Sequence, residues 1–241
     1  LELSIKSEVL SVLLNRVIYK DPERKELYLQ AINNEHGKGT SNSKHTFEWD
    51  QRYNNIYEVA HKLDLLPLKV SRSHLWEVMF VINVKTKEIY AFMKAKTLKN
   101  VLKSDGQHYT KLLNQFNASY DHLPPISQQT TLFGVEENKD ELLNLAKEMI
   151  NSSAIIPEKF FIFAFEDNSL HTTIKALAFN TSNELIFTKN LSHLLTTDYS
   201  SILESDNITP KKFASSSQVK LPQEGTSKNG KKKSLLKLKT K

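Results

Sequence analysis

The residues of this chain best suited to chemistry are one histidine and two cations. His108 stands beside Tyr109 where a polar stretch turns into a predicted helix, a place that orients an imidazole and makes it the candidate general acid or base. Arg72 and Lys94 fall near the ends of two predicted strands. On paired strands they would face one pocket with Trp76 and Tyr90, His108 entering from the following helix, and would hold an anion such as a phosphate. The competing reading makes Trp76 and Tyr90 core packing and the two cations solvent cover.

Other chemistries fail on spacing. The histidines at 36, 45, 61, 74, 108, 122, 171 and 193 form no His-Glu-x-x-His pair and no metal-ligand spacing, so neither metal nor cofactor is expected. Gly225 to Lys232 has the glycine spacing of a phosphate-binding loop. However, Lys232 replaces the hydroxyl residue that would bind magnesium, and no strand-to-helix frame surrounds the segment. Glu23-Arg24-Lys25 has the spacing of a metal-dependent nuclease triplet, yet it falls in a helix where a strand is required. Glu77, Glu88 and Glu184 lie on or beside strands, where an acid at an alternating position is expected to face solvent. Glu136, Glu137, Asp140 and Glu141 open a helix and complement its dipole. The absence of cysteine excludes disulfides, thiolate zinc sites and cysteine nucleophiles.

The elements that must position these residues are legible from periodicity. Residues 3–18 and a segment opened by Pro22 read as a helical hairpin, followed by a polar, glycine-bearing loop from Glu35 to His45. A helix over Trp49–Leu63 precedes three strands at 68–72, 75–82 and 88–94. The order then returns: a helix at 137–150, a nearly continuous apolar strand at 160–165, and strands at 172–179 and 184–188. Pro124-Pro125 marks the boundary between the halves. The expected fold is α+β: an N-terminal helical hairpin (1–34), two α-β-β-β-α units with mainly antiparallel strands (46–120 and 132–207), and a disordered basic tail (208–241).

Charge separates that tail from everything before it. From Pro210 to Lys241 there are ten lysines and one acid, Glu224, so this segment carries +9; the chain's net +6 leaves −3 for residues 1–209. A flexible polycation neutralises phosphates without a folded site, so Lys228, Lys231, Lys232, Lys233, Lys237, Lys239 and Lys241 are the candidate DNA- or RNA-binding residues. The tail has no Arg and one aromatic, Phe213, so its binding is expected to depend little on base sequence. The same lysines beside Leu235, Leu236 and Leu238 would also suit an anionic membrane surface, or serve only solubility. No apolar run is long enough to cross a bilayer and no signal peptide is evident, which makes a cytoplasmic location the expectation.

Ser71-Arg72-Ser-His-Leu-Trp76, then Tyr90-Ala-Phe-Met93-Lys94, then His108-Tyr109 before Leu112 and Leu113, resemble the elements of an uncharacterised bacterial family. That family carries a small-Arg-x-x-Trp strand, a Tyr-x-x-Met-Arg/Lys strand and a His-Tyr before a leucine-rich helix. The resemblance covers about residues 47–117. It departs at Lys94, where Arg is more usual. It implies a Gram-positive or phage-type source and supplies no activity, the family being a domain of unknown function. The resulting expectation is a non-enzymatic bacterial accessory or regulatory protein with a basic tail and a possible protein partner. The alternative is an enzyme acting on nucleic acid or nucleotides, in phage defence, built on His108, Arg72 and Lys94. Oligomeric state is not encoded in any of these features.

Overall fold

Apolar residues at helical spacing, Leu10, Leu13, Leu14 and Val17, produce α1 (Ser7–Ile18), and the whole stripe is buried. The next helix owes its start to its own cap. Asp21 accepts from the backbone N–H groups of Glu23 and Arg24 at 3.0 and 3.3 Å, and Pro22 supplies the first helical φ of α2 (Pro22–Ala31). Together these two form the expected N-terminal helix pair, although α2 buries none of its residues. The third helix, α3 (Lys44–Lys62), turns Ile56, Val59 and Ala60 inward.

The computed structural model describes residues 1–72, 76–104, 108–126, 138–167 and 171–196; the basic tail of 208–241 and its lysines lie outside the described residues. After α3 the chain forms β1 (Leu66–Arg72), β2 (Trp76–Asn83) and β3 (Glu88–Lys94). There follow α4 (Ala95–Lys103), α5 (Tyr109–Leu113) running into a 3-10 turn at Asn114–Tyr120, and α6 (Lys139–Met149). The chain returns through β4 (Lys159–Asp167), β5 (Thr172–Phe179) and β6 (Leu185–Asn190). Residues Leu1–Ile208 make one compact unit.

All six strands share one sheet, in sequence order. Each meander is antiparallel within itself, and the two are joined where β3 runs parallel to β4, from Glu88 opposite Lys159 to Lys94 opposite Phe165. Helices cover both faces. On one, Tyr90, Phe92, Phe161, Phe163 and Phe165 meet α1 and α3. On the other, Ile89, Ala91, Met93, Phe160 and Ile162 meet α4, α5 and α6. A strand covered on both sides has no solvent face, which is why β4 reads as an almost unbroken apolar run.

The recurring α-β-β-β order is present, but its packing does not recur. α3 leads the first meander and lies on one face, whereas α6 leads the second and lies on the other. The first unit closes with α4, and the second, among the described residues, with a 3-10 turn, Ser192–Leu194.

Buried polar side chains carry specific joints. Asn117 is fully buried: its Oδ1 accepts from Phe160 N at 2.8 Å, and its Nδ2 donates to Phe160 O at 3.0 Å and Phe179 O at 2.8 Å. The β4–β5 ladder stops at Ile162 opposite Leu177, so one amide continues the rungs where the strands splay. Asn15 joins α1 to the segment after β6: its Nδ2 donates to Ser11 O and Leu194 O at 2.8 and 2.9 Å, and its Oδ1 accepts from Thr196 N at 2.9 Å. Glu88 corrects the expectation of a solvent-facing strand acid. Its carboxylate is completely buried and accepts from Ser4 N at 3.1 Å, the Tyr90 hydroxyl at 2.6 Å and Lys159 Nζ at 3.1 Å. A buried charge persists only with such partners.

Candidate functional site

Lys94 ends β3 beside Phe165 of β4, on the face shared with Tyr90 and Phe92. Its ammonium lies 3.9 Å from Oε2 of Glu48 on α3. That same oxygen stands 3.9 Å from Nη1 of Arg52, one helical turn on. Arg52 is 2% exposed, with Nη2 3.7 Å from Oδ2 of Asp167 at the end of β4. Its guanidinium carbon sits 5.5 Å from the centre of the Trp49 ring and 5.2 Å from that of Phe165, within cation–π range. Asp167 in turn accepts from Lys20 Nζ at 2.8 Å and from the Thr172 hydroxyl at 2.7 Å.

Three cations and two carboxylates thus meet where the parallel strands β3 and β4 end. Burial alone would raise the Asp167 carboxyl. Hydrogen bonds from Lys20 and Thr172 and the nearby charges of Lys20 and Arg52 outweigh it and hold the group below the usual carboxylate range. Desolvation lowers Arg52, opposed by Asp167 and Glu48, and guanidinium remains charged throughout the accessible range. Contacts of 3.7 to 3.9 Å are electrostatic and too long for hydrogen bonds. Arg52 makes one hydrogen bond, Nη1 to the Glu48 carbonyl at 3.3 Å, and its buried Nε has no partner among the described residues. The cluster is an internal tie between α3 and the sheet, its cations turned toward carboxylates.

His108 serves a different layer. It caps α5, its Nδ1 accepting from Thr110 N at 3.3 Å and lying 3.0 Å from the Thr110 hydroxyl, and its ring lies tilted against Tyr109, with centroids 4.2 Å apart. Tyr109 packs on Phe80, and the leucines of α5 fill the core on the sheet face opposite the one that carries Lys94. Burial, with a smaller contribution from Tyr53, pushes the Tyr109 phenol above its ordinary value. Arg72 does end β1, its backbone opposite Trp76, and its side chain is outside the described residues. Lys94 and His108 are therefore assigned to opposite layers. Among the described residues no group of His, Asp and Glu could hold a metal ion, and no helix is long and apolar enough to cross a membrane.

Sequence reasoning passed over Arg52 and its neighbours. The available signal was position: Arg52 lies between Trp49 and Ile56 at i−3 and i+4, on an apolar stripe where a charge requires partners.

Two carboxylates should respond to pH in opposite senses. Burial would raise Asp121, but hydrogen bonds from Thr181 and Lys139 hold its carboxyl low. Its contribution to stability is present above the unfolded value of about 3.9 and is lost as pH falls through the lower folded value. The cost of Asp121→Asn should accordingly be full at pH 7 and shrink below about pH 4. Asp50, raised by burial and then by Glu77, opposes folding when ionised. Asp50→Asn should stabilise at pH 7, and the gain should vanish as pH drops below about 3.9. Urea midpoints from pH 3 to 7 test both signs.

Residues 21–238 match a family model described as "Family of unknown function (DUF5986)". No curated protein and no solved structure matches the chain.

Proposed function

We propose that this chain, which belongs to the DUF5986 family of unknown function, is a non-enzymatic accessory or regulatory protein of the bacterial cytoplasm that binds nucleic acid through its phosphates. The observation that carries this reading is the partition of charge. Ten lysines and one acid between Pro210 and Lys241 follow a body of net −3. Such a polycation gains affinity by releasing counterions from a phosphate backbone. The candidate pocket supports binding over catalysis: Lys94 is directed to Glu48, Arg52 lies among Glu48, Asp167 and two aromatic rings, and His108 caps a helix on the other layer.

The test is anisotropy of the full chain on labelled duplex DNA, single-stranded DNA and RNA over a salt series, with substrate integrity followed on a gel. If the seven lysines Lys228, Lys231, Lys232, Lys233, Lys237, Lys239 and Lys241 all meet phosphates, the tail should contribute about −6 to the slope of log K against log salt on duplex DNA. Absence of binding, or binding indifferent to salt, would remove the proposal. Cleavage of the substrate would replace it with the enzymatic alternative.

A further inference from the structure

The folded body carries a lysine row of its own. Between Glu88 and Asp105 the sequence contains no acid and four lysines, Lys94, Lys96, Lys99 and Lys103, the last three on α4. At 3.6 residues per turn, positions i, i+3 and i+7 fall within about 60° of arc. Lys96, Lys99 and Lys103 therefore form one row, bordered beside Lys96 by the uncharged Asn100. The opposite side of the helix is apolar: Leu98 is 3% exposed, and Ala95 and Leu102 pack against the same core. All three lysines are exposed, and none has a carboxylate within 4 Å among the described residues. Other lysines of the body, Lys20, Lys87 and Lys159, are drawn to Asp167, Glu158 and Glu88.

We propose that this face of α4 is a second, structured nucleic-acid contact that lays Lys96, Lys99 and Lys103 along one phosphate strand; the proposal rests on the nucleic-acid reading of the tail. Seven residues of helix span about 10.5 Å. A duplex strand winds about its axis as it rises by about 3.4 Å per nucleotide, so its successive phosphates lie farther apart than that rise, and three flexible ammonium groups over this span suit two or three of them. An anionic membrane fits less well, because a surface helix must present apolar side chains to the lipid and those of α4 are committed to the core. The row contains no aromatic and no Arg, so it positions a backbone and reads no bases.

The experiment compares three full-length proteins on duplex DNA over a salt series: the natural chain, Lys96→Gln/Lys99→Gln/Lys103→Gln, and the charge-matched control Lys25→Gln/Lys38→Gln/Lys44→Gln. Glutamine keeps helix propensity, and far-UV circular dichroism checks the fold. The α4 variant is expected to lower the magnitude of the salt slope by about 2.7 relative to the natural chain, with a much smaller change in the control. Equal slopes for the α4 variant and either other protein would overturn the α4 contact and leave the tail reading intact. No binding by any of the three would bring down both. Vesicles of phosphatidylcholine with phosphatidylserine form the last arm. If the α4 substitutions weaken vesicle binding and leave DNA binding unchanged, the face belongs to a membrane and the proposal fails.

Discussion

Asn117→Asp is expected to reduce the free energy of unfolding by about 4 kcal/mol, because two buried carbonyls lose their donor and a carboxylate takes its place. The natural amide is a donor to Phe160 O and Phe179 O and an acceptor from Phe160 N, and none of it is exposed. Aspartate keeps only the acceptor role and sets its oxygen against both carbonyls. Each orphaned buried group costs about 1 to 3 kcal/mol, and an unpaired buried charge adds to that. For a body of this size the melting temperature should fall by roughly 8 to 16 °C. Urea denaturation should show a lower midpoint at unchanged slope, the mark of lost stability without a change in the surface exposed on unfolding. A loss under about 1 kcal/mol would mean that water or a shifted backbone replaces the amide, and that Asn117 is not the joint between β4 and β5.

The second large effect concerns Arg52, where charge and bulk can be separated. Arg52→Ala removes the guanidinium lying near Trp49 and Phe165 and leaves a cavity under α3, at an expected cost of about 3 kcal/mol. Glu48 and Asp167 each retain about a third of their surface in solvent, and Asp167 keeps Lys20 at 2.8 Å, so the value lies at the low end for breaking a buried pair. Arg52→Met fills much of the same volume without the desolvation cost of a cation that makes a single hydrogen bond among the described residues. It is expected to fall within about 1 kcal/mol of the natural chain. If methionine proves as costly as alanine, the ion pairs hold α3 to the sheet and side-chain bulk does not.

The pattern of success along the chain follows the range of the interactions. Pro22 opens its helix where the sequence places it, and the Asp21 cap and the turns opening at Asn83 and Asn180 are local devices of the same kind, each made within a few residues. The Asn180 side chain accepts from Ser182 N and Glu184 N at 3.1 and 2.8 Å, and Asn183 adopts the left-handed φ of 63° that its residue type tolerates. Glu88 shows the limit. Its neighbours in sequence mark a strand entering from a polar turn, and two of the three groups that make its burial possible, Ser4 and Lys159, stand 84 and 71 residues away in the chain. Nothing within one turn of Glu88 announces them.

By itself the sequence determined the α+β class, the order of elements, and a lysine tail of +9 set on a body of −3, because period, turn chemistry and charge are properties of short stretches. Tertiary structure alone decided that β3 and β4 pair in parallel, which face each helix covers, and hence that Lys94 joins Glu48 and Arg52 while His108 works in the other layer. Those outcomes depend on burying two sheet faces at once. That is a collective requirement on residues far apart in the chain, and local spacing carries no record of it.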